Sequence, residues 1–225
     1  MVDFLQKLNQ DFELIIANNG STDATGRIAD SLARTFPNVR AIHLAVKGRG
    51  RALKDAWTDT KAEILSYMDV DLSTDLSAFP VMIRALESGQ HDLAIGTRLH
   101  VTSVTKRCWQ REMISRAYNR LVRRVFQIRF SDAQCGFKAL TRVAAERLLP
   151  VVKDNAWFFD TELLVIAEKC GYRICDIPVR WTEDRDSRVK IVSTAIADLQ
   201  AMAKLWIGLH RGAYADLNGS LNDKD

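Results

Sequence analysis

The sequence contains no apolar run long enough to cross a bilayer, no internal repeat and only four cysteines among 225 residues. A membrane-spanning helix needs about 20 consecutive apolar residues, so none is expected here. The cysteines form no C-x-x-C pair and have no histidine at metal-ligand spacing, which argues against a zinc site and favours free thiols in a reducing compartment. Since the N-terminus also lacks the pattern of a cleavable signal, we expect a cytoplasmic protein, either soluble or peripheral to a membrane.

Histidine is scarce as well, and its placement bears on mechanism. The four histidines are scattered along the chain without serine or carboxylate partners at a suggestive spacing. A nucleophilic mechanism based on histidine therefore has little support. The 47% hydrophobic content is enough for one sizeable core. We predict a single catalytic domain over residues 1–210 and a disordered tail over residues 211–225, which is rich in Asn, Gly, Ser and acidic residues.

Positive charge is concentrated in one segment. Nine of the 32 lysines and arginines lie between Arg98 and Arg129, against the single acid Glu112, whereas the rest of the chain has 23 basic and 27 acidic residues. Between Arg111 and Phe126 apolar residues recur at helical spacing, with arginines on another face. A basic segment in an otherwise acidic domain indicates an anionic partner, either phosphate groups or a membrane surface, and a solvated helix face is the alternative.

Short apolar segments alternate with helical patterns along most of the chain. This alternation is typical of an α/β protein with a mostly parallel sheet flanked by helices. Strands are predicted at 12–17, 39–45, 64–68, 91–96 and 173–181, and residues 132–139 are predicted to form a loop followed by a strand. Helices are predicted at 24–35, 51–62, 78–88, 111–126, 140–149, from 157 onward and at 190–209.

Two predicted helices have a clear apolar face. In the first, Ile28, Leu32 and Phe36 are expected to face the core. In the last, one stripe is expected to pack on the domain or to lie on a membrane surface, and it consists of Ile191, Ala195, Leu199, Met202, Leu205 and Trp206.

The most informative segment is 67–73, in which Asp69 and Asp71 follow an apolar strand. In open α/β sheets, ligands bind at the carboxyl ends of the strands. Hard oxygen ligands at that place suit Mg²⁺ or Mn²⁺ carrying a diphosphate. The pair alone is weak evidence, because a solvated strand end or a helix N-cap gives the same pattern.

Six segments of the chain form an ordered set of motifs. They are 18–23 (NNGSTD), 47–50 (KGRG), 67–71 (YMDVD), 96–98 (GTR), 132–138 (DAQCGFK) and 157–164 (WFFDTELL). In order and spacing this set resembles the family 2 inverting glycosyltransferases with a GT-A fold, specifically the dolichyl- and polyprenyl-phosphate glucosyl and mannosyl synthases. The similarity covers roughly residues 12–207, which is most of the chain.

The resemblance implies a GT-A nucleotide-diphospho-sugar transferase fold and a hexosyltransferase activity. It implies transfer from a nucleotide sugar donor to a polyprenyl or dolichyl phosphate, with Mg²⁺ or Mn²⁺ as cofactor, at the cytoplasmic face of a membrane. Glucose from UDP-glucose is favoured because segment 132–138 resembles the glucosyl branch more. Mannose from GDP-mannose is the alternative.

The resemblance also implies roles for residues near the phosphates. Asp69 and Asp71 are expected to hold the metal and the ribose side of the donor. Lys47 and Arg49 lie in a glycine-flanked loop that lets cationic groups approach phosphate, although a basic turn without a ligand would look the same. The family's two phosphate-gripping arginines correspond to Arg98 and Arg111, and the planar guanidinium suits this task.

Further roles concern the sugar and the acceptor. Asp132 and Asp160 are the candidates for orienting or deprotonating the acceptor, with a loop cap and a first-turn helix residue as the respective alternatives. Gln134 and Lys138 are expected to shape the donor-sugar pocket. The predicted catalytic residues are therefore Asp71, Asp132, Asp160 and Arg111. The predicted donor-binding residues are Asn18, Asn19, Lys47, Arg49, Asp69, Arg98, Gln134 and Lys138.

The sequence departs from the family pattern in two places. The usual first strand and its nucleotide-gripping loop have no counterpart before Phe12. Either the start of the sequence is misassigned, or the protein lacks a central strand, which would leave an unpaired sheet edge and an incomplete base pocket. Asn18 and Asn19 stand where many relatives carry two aspartates, so donor binding is expected to be weaker without the carboxylate charge.

Two other classes of function remain open from the residues. A sugar-nucleotide pyrophosphorylase also uses a basic glycine-rich loop and a metal-binding carboxylate, but that loop would normally follow the first strand rather than the second. A catalytically silent relative that only binds nucleotide would fit the apparently missing strand.

Overall fold

The structure, a computed structural model, describes residues 1–8, 10–183 and 191–217. Its strands are β1 (Leu14–Asn18), β2 (Val39–His43), β3 (Ile64–Met68), β4 (Leu93–Thr97), β5 (Val104–Lys106), β6 (Phe137–Thr141), β7 (Ile174–Pro178) and β8 (Arg180–Thr182). Its helices are α1 (Val2–Gln6), α2 (Thr25–Thr35), α3 (Arg49–Thr58), α4 (Phe79–Glu87), α5 (Trp109–Phe126), α6 (Arg142–Leu148), α7 (Phe159–Lys169) and α8 (Ile191–His210). Almost every predicted element is present, with ends shifted by a few residues.

The strands form a four-stranded sheet and two smaller pairs. The large sheet has the order β3-β6-β4-β7, and β1-β2 and β5-β8 form the pairs. Three of the five strand pairings are parallel, as predicted, namely β1 with β2, β4 with β7 and β5 with β8. The two antiparallel pairings both belong to β6, which lies between β3 and β4. The structure is therefore an α/β fold with a mixed sheet.

The predicted unpaired sheet edge is present. Within the described residues β1 pairs with β2 alone and β3 pairs with β6 alone, so the two sheets end on these strands. Both β1 and β3 carry motifs at their carboxyl ends, since Asn18 closes β1 and Asp69 follows β3. The gap in the sheet thus separates the two strand ends from which the motifs 18–23 and 67–71 begin.

The main core lies around α7. Every residue from Phe159 to Ala167 is buried, and helices α5, α6 and α8 contribute to the same apolar cluster. Helix α7 is buried on nearly all sides, and its polar residues Asp160, Thr161 and Glu162 are buried together with the apolar ones. A second cluster joins α1 and α4 to the opposite side of the sheet, with the rings of Phe4 and Phe79 packed edge to face at 6.3 Å.

Two predicted apolar faces are wrong in part. On α2, Ile28 is 57% and Leu32 40% exposed, while Ala29 is buried. Helix α2 contacts β1 and β2, and a two-stranded sheet is too narrow to cover its whole apolar stripe. On α8, the stripe predicted to pack on the domain or to lie on a membrane surface is divided, because Met202 and Leu205 are buried whereas Leu199 and Trp206 are exposed. The side chain of Ile191, also part of that prediction, lies outside the described residues. The buried stripe of α8 is rotated and includes an acid, Asp198.

The late strand and the tail also differ from the prediction. The strand predicted at 173–181 is divided into β7 and β8, and Pro178 ends β7 at the edge of the sheet, a position that suits proline. The tail predicted to be disordered begins as ordered chain, because Tyr214 is buried and residues Ala215–Leu217 form a 3-10 helix. The remainder of that prediction, 218–225, lies outside the described residues.

Candidate active site

The two aspartates of segment 67–71 lie at the rim of the large sheet. The backbone N–H of Asp69 donates to the carbonyl of Gly136 at 3.1 Å, and a Cβ atom at Gly136 would lie 1.8 Å from Asp69 Oδ2. Only glycine allows this approach. Asp71 is exposed, and its Oδ1 accepts from Ser73 N at 2.9 Å. Asp75, not Asp71, caps the short 3-10 helix Leu76–Ala78 that leads into α4, so the capping alternative does not apply.

Arg49 joins Asp69 to the buried part of the site. Its Nη1 donates to Asp69 Oδ1 at 2.7 Å and its Nε to Asp160 Oδ2 at 3.1 Å. The guanidinium lies 5.1 Å from the ring centroid of Tyr67 and 5.3 Å from that of Trp157, within cation–π range. Burial alone would lower the pKa of Arg49, but Tyr67, Asp160 and Asp69 together hold it above its usual value. Arg49 is therefore a fixed cation between the two carboxylates.

Asp160 is the centre of a buried polar cluster. It is 3% exposed and accepts from Arg49, from the Tyr67 hydroxyl and from Lys138 Nζ, the last at 3.1 Å. Lys138 also donates to the Tyr67 oxygen at 3.0 Å and to the Cys135 carbonyl at 2.6 Å. Desolvation opposes ionisation, yet Lys138 and Arg49 lower the pKa of Asp160. Asp160 is thus a paired carboxylate, with its partners supplied by α3, β3 and β6.

Asp132 and Arg98 form a second buried pair. Asp132 is fully buried and accepts from Arg98 Nε at 2.8 Å, Arg98 Nη2 at 2.9 Å and the Arg98 backbone N–H at 3.1 Å. Desolvation would raise the pKa of Asp132, but the contact with Arg98 lowers it. The Arg98 guanidinium also stacks on Trp181 at 5.4 Å. The forked geometry expected for phosphate is satisfied here by a carboxylate of the same chain.

The loops after β1 and β2 are tied to each other. Asn19 Oδ1 accepts from Gly48 N at 2.7 Å, and Asn18 lies 3.0 Å from the His43 ring. Gly50 follows at the start of α3, where a Cβ atom would lie 2.6 Å from Phe159 Cβ, so the glycine lets α3 pack closely on α7. Lys47 is exposed. These contacts place Arg49 against Asp69 and Asp160.

Arg111 lies apart from this cluster. Its Nη1 donates to Glu183 Oε1 at 2.8 Å, and the same carboxylate accepts from Cys108 N at 2.8 Å. Burial of Glu183 would raise its pKa, but the hydrogen bonds from Cys108 and Arg111 lower the pKa below its usual value. Of the predicted site residues, the structure brings Arg49, Asp69, Asp160 and Lys138 into one cluster and pairs Arg98 with Asp132. Their functional roles stay predictions.

Sequence reasoning missed two polar groups beside the site. Asp198 on α8 is 4% exposed and accepts from Gln134 Nε2 at 3.4 Å, and desolvation raises the pKa of Asp198 to about 6. The Tyr118 hydroxyl on α5 lies 2.8 Å from Thr161 Oγ1, next to Asp160. An acid four residues before Met202, on the same helical face, was the available signal for Asp198.

The carboxylates of Asp69 and Asp71, at the rim of the sheet, suit a divalent cation that also binds a substrate. Among the residues that the structure describes, no three His, Cys, Asp or Glu side chains form a complete metal-ligand group. Asp69 and Asp71 offer hard carboxylate oxygens, and the side chain of Asp69 is 42% exposed. Mg²⁺ commonly binds through one or two carboxylates, with the other positions taken by water and substrate phosphates. The donor set is compatible with Mg²⁺ or Mn²⁺ in that arrangement.

Comparison with known proteins gives relatives of one kind. The family model described as glycosyl transferase family 2 matches residues 3–149. Glycosyltransferase AglD of Haloferax volcanii is 38% identical over 196 residues, 87% of this chain and 31% of that protein. Dolichyl-phosphate beta-glucosyltransferase ALG5C of Trichomonas vaginalis is 30% identical over 187 residues, 80% of this chain and 56% of that protein. The chain thus spans less than two thirds of the length of these curated relatives.

Solved structures give the fold. Glucosyl-3-phosphoglycerate synthase from Mycobacterium tuberculosis in complex with UDP superposes with a TM-score of 0.65 at 17% identity, over 86% of this chain and 69% of that chain. Its complex with Mn²⁺ and UDP-glucose gives a TM-score of 0.61, over 84% of this chain and 67% of that chain. The predicted GT-A fold is confirmed by this likeness.

Proposed function

The chain belongs to glycosyl transferase family 2, and from this membership we propose that it is an inverting glycosyltransferase that moves a hexose from a nucleotide-diphosphate sugar to a polyprenyl or dolichyl phosphate. We favour glucose as the sugar, because several similar proteins are named dolichyl-phosphate beta-glucosyltransferase. A GDP-mannose-dependent mannosyltransferase is the alternative. The transfer reaction would take place at the cytoplasmic face of a membrane, where the lipid acceptor would lie.

One observation supports the proposal most. Arg49 contacts Asp69 and Asp160 at the same time. Asp69 is 20 residues and Asp160 is 111 residues from Arg49 in the chain, so these contacts bring three of the motifs together. Their common place is the rim of the sheet beyond the carboxyl end of β3, where open α/β sheets bind nucleotides. A half-exposed Trp157 stands beside it and offers a face for stacking.

Asp69 and Asp71 would hold the divalent cation. When bound, Mg²⁺ or Mn²⁺ supplies charge neutralisation for the departing nucleotide diphosphate, the Lewis-acid role of a metal. Arg49 keeps Asp69 in place from one side, and the Gly136 backbone supports it from the other. The protein contributes a prearranged pair of oxygens, and prearrangement of charge is usually the largest electrostatic contribution to catalysis.

Asp160 would serve as a positioning residue that holds Arg49 in place. Its carboxylate is buried and accepts from Arg49, Tyr67 and Lys138, so it fixes the cation that contacts Asp69. A phosphate acceptor is anionic on arrival and does not require a general base, so the chemistry demands alignment of the attacking oxygen with the anomeric carbon. Asp132 fixes Arg98 in the same way. Arg111 and Lys47, which are nearer to solvent, remain the candidates for contact with the acceptor and donor phosphates.

A radiolabelled-sugar assay tests the proposal. UDP-glucose and GDP-mannose are offered separately with a short polyprenyl phosphate and Mg²⁺ or Mn²⁺, and lipid-linked product is counted. Transfer from UDP-glucose is expected, and transfer from GDP-mannose alone would select the mannosyltransferase. Asp71→Asn should abolish transfer, whereas the matched control Asp75→Asn, four residues along the same loop, should retain it. Nucleotide binding without transfer from either donor would identify a silent relative, and formation of UDP-glucose from UTP and glucose 1-phosphate would identify a pyrophosphorylase.

A further inference from the structure

An apolar groove lies between helices α5 and α8, away from the polar cluster. It has a volume of about 490 Å³ and is lined by apolar side chains of both helices. We define the α5–α8 face as the exposed apolar residues of these two helices in and beside the groove. They are Ile114, Leu121, Ile196, Leu199, Trp206 and Ile207, each between 39% and 54% exposed.

Such a surface requires a partner. Large apolar side chains scattered singly on a surface need no explanation, but a contiguous group on two neighbouring helices marks an interaction site. Leu199 and Trp206 belong to the stripe predicted either to pack on the domain or to lie on a membrane surface, and both are exposed. None of the helices within residues 1–8, 10–183 and 191–217 is long and apolar enough to cross a membrane.

The charge beside the face identifies the kind of partner. Helix α5 carries four exposed arginines, Arg116, Arg120, Arg123 and Arg124. Arg116 is paired with Glu112, and among the described residues no ion pair involves the other three. Between residues 195 and 210 of α8 the exposed charge is that of Lys204, because the acid of this segment, Asp198, is buried. A second copy of this cationic surface would be repelled, whereas an anionic surface would be attracted.

The same two helices contribute to the candidate site. Tyr118 of α5 hydrogen-bonds with Thr161, the neighbour of Asp160, and Asp198 of α8 accepts from Gln134. The helices that form the α5–α8 face are therefore tied, on their buried sides, to residues of the candidate site. Trp206 is half-exposed on the face, and tryptophan is enriched where protein meets the headgroup layer of a bilayer.

We propose that the α5–α8 face docks on an anionic lipid bilayer, with its apolar residues in the headgroup boundary and the arginines of α5 against acidic lipids. Apolar burial together with basic attraction is the usual combination for helices that lie on a membrane without spanning it. The inference rests on the proposed function for its purpose, since a lipid acceptor must be reached at a membrane, but its geometry is independent of the chemistry.

Vesicle flotation tests the proposal with the whole chain. The protein is mixed with phosphatidylcholine vesicles with or without phosphatidylglycerol, and the floated fraction is measured. Binding is expected to the anionic vesicles and to weaken with added salt. The double variant Leu199→Gln/Trp206→Gln should lose at least about tenfold in binding. Arg120→Gln/Arg124→Gln should lose about 30-fold, the effect of two basic residues at a charged surface.

Helix α2 supplies matched controls. Ile28→Gln/Leu32→Gln removes two similarly exposed apolar residues, and Arg27→Gln/Arg34→Gln removes two exposed arginines. Neither should alter flotation, and all four variants should keep the wild-type melting temperature. An equal loss in the α2 controls, or a wild type that does not float with anionic vesicles, would overturn the proposal. So would sedimentation showing a dimer that Leu199→Gln/Trp206→Gln dissociates.

The outcome is separable from that of the proposed function. With a short, water-dispersed polyprenyl phosphate, the α5–α8 variants are expected to transfer sugar at the wild-type rate, because no bilayer is involved. A wild type that floats but transfers no sugar would contradict the proposed function and leave the docking surface standing. A wild type that transfers sugar but does not float would do the reverse.

Discussion

The two ends of the candidate site rest on very different amounts of core. Four of the five residues of β1 are only half-buried, and the apolar stripe of α2 above it is largely exposed. By contrast, α7 is buried from Phe159 to Ala167 and carries Asp160 into the densest part of the domain. The carboxylate end of the site is therefore built into a rigid core. The Asn18–Asn19 end belongs to a thin layer joined to it through the Asn19 contact with Gly48 and through α3.

The contrast shows which side chains of the candidate site are held most firmly in position. Under the proposed function, the rim carboxylates would hold a highly charged ligand at fixed distances, and dense packing with paired charges suits that task. A loop that contacts the nucleotide base would have a less exacting task and could lie on a less stable part of the fold. Substitutions confined to the region around α7 (the dense half) or to the layer of β1, β2 and α2 (the thin half) test whether the two differ in this way.

The largest expected effect is the loss of a core ring in the dense half. Phe159→Ala removes a fully buried side chain that packs on Trp57 and on Gly50, and it should lower the free energy of unfolding by about 4 kcal/mol. Ile28→Ala in the thin half should change it by no more than about 0.5 kcal/mol. Urea unfolding measures both. Similar losses for the two variants would show that the halves do not differ in packing.

The next effect concerns the two carboxylates that share Arg49. Asp160→Asn leaves buried Lys138 and Arg49 without their central counter-charge and should cost about 3 kcal/mol of folding free energy. Asp69→Asn weakens a pair that is partly open to solvent and should cost less than about 1 kcal/mol. Chemical denaturation of the purified variants at neutral pH decides this. If Asp69→Asn were the more damaging of the two, Arg49 would depend on the rim rather than on the core.

A third effect appears in the pH dependence of stability. Because burial raises the pKa of Asp198 to about 6, the native state binds this proton more tightly than the unfolded chain does. The contribution is then fully present below the ordinary carboxyl pKa and is lost as pH rises through about 6, by on the order of 3 kcal/mol.

Asp198→Asn should remove that loss and raise stability at neutral pH. The exposed Asp216→Asn serves as its control and should leave the pH profile unchanged. Unfolding midpoints measured across the acidic range report both variants. A wild-type profile that is flat between the two pKa values would contradict the burial of an ionisable Asp198 next to Gln134 and Tyr118.

The smallest expected effect lies at the link between the halves. Asn19→Ala removes the acceptor of the Gly48 N–H and should cost about 1 kcal/mol, while Asn38→Ala, at an exposed turn, should cost almost nothing. Binding of UDP, followed by calorimetry, should weaken in Asn19→Ala because the loop that presents Lys47 and Arg49 loses its anchor. Unchanged UDP binding would show that the thin half does not help to set this loop.

Much of the fold followed from local patterns. The strand leading to Asp69, the helix after Asn18 to Asp23 and the long α5 all lie where apolar periodicity and turn residues predicted them, because these signals act over a few residues. The predictions were wrong where the burial of a helix face depends on which other elements pack against it. The stripe of α2 is exposed because two strands cannot cover it, and the stripe of α8 is rotated because its buried side meets α5.

The candidate site divides in the same way. Local patterns were enough to predict the order of the motifs, the family and the position of Asp69 and Asp71 after a strand, since all of these are properties of neighbouring residues. Three contacts emerge only when the whole chain is folded: Arg49 lies between Asp69 and Asp160, Asp132 pairs with Arg98, and Asp198 is buried beside Gln134. The physical reason is that each of these side chains is 20 or more residues from its partner, and the choice among many possible partners is made by the packing of whole helices and strands.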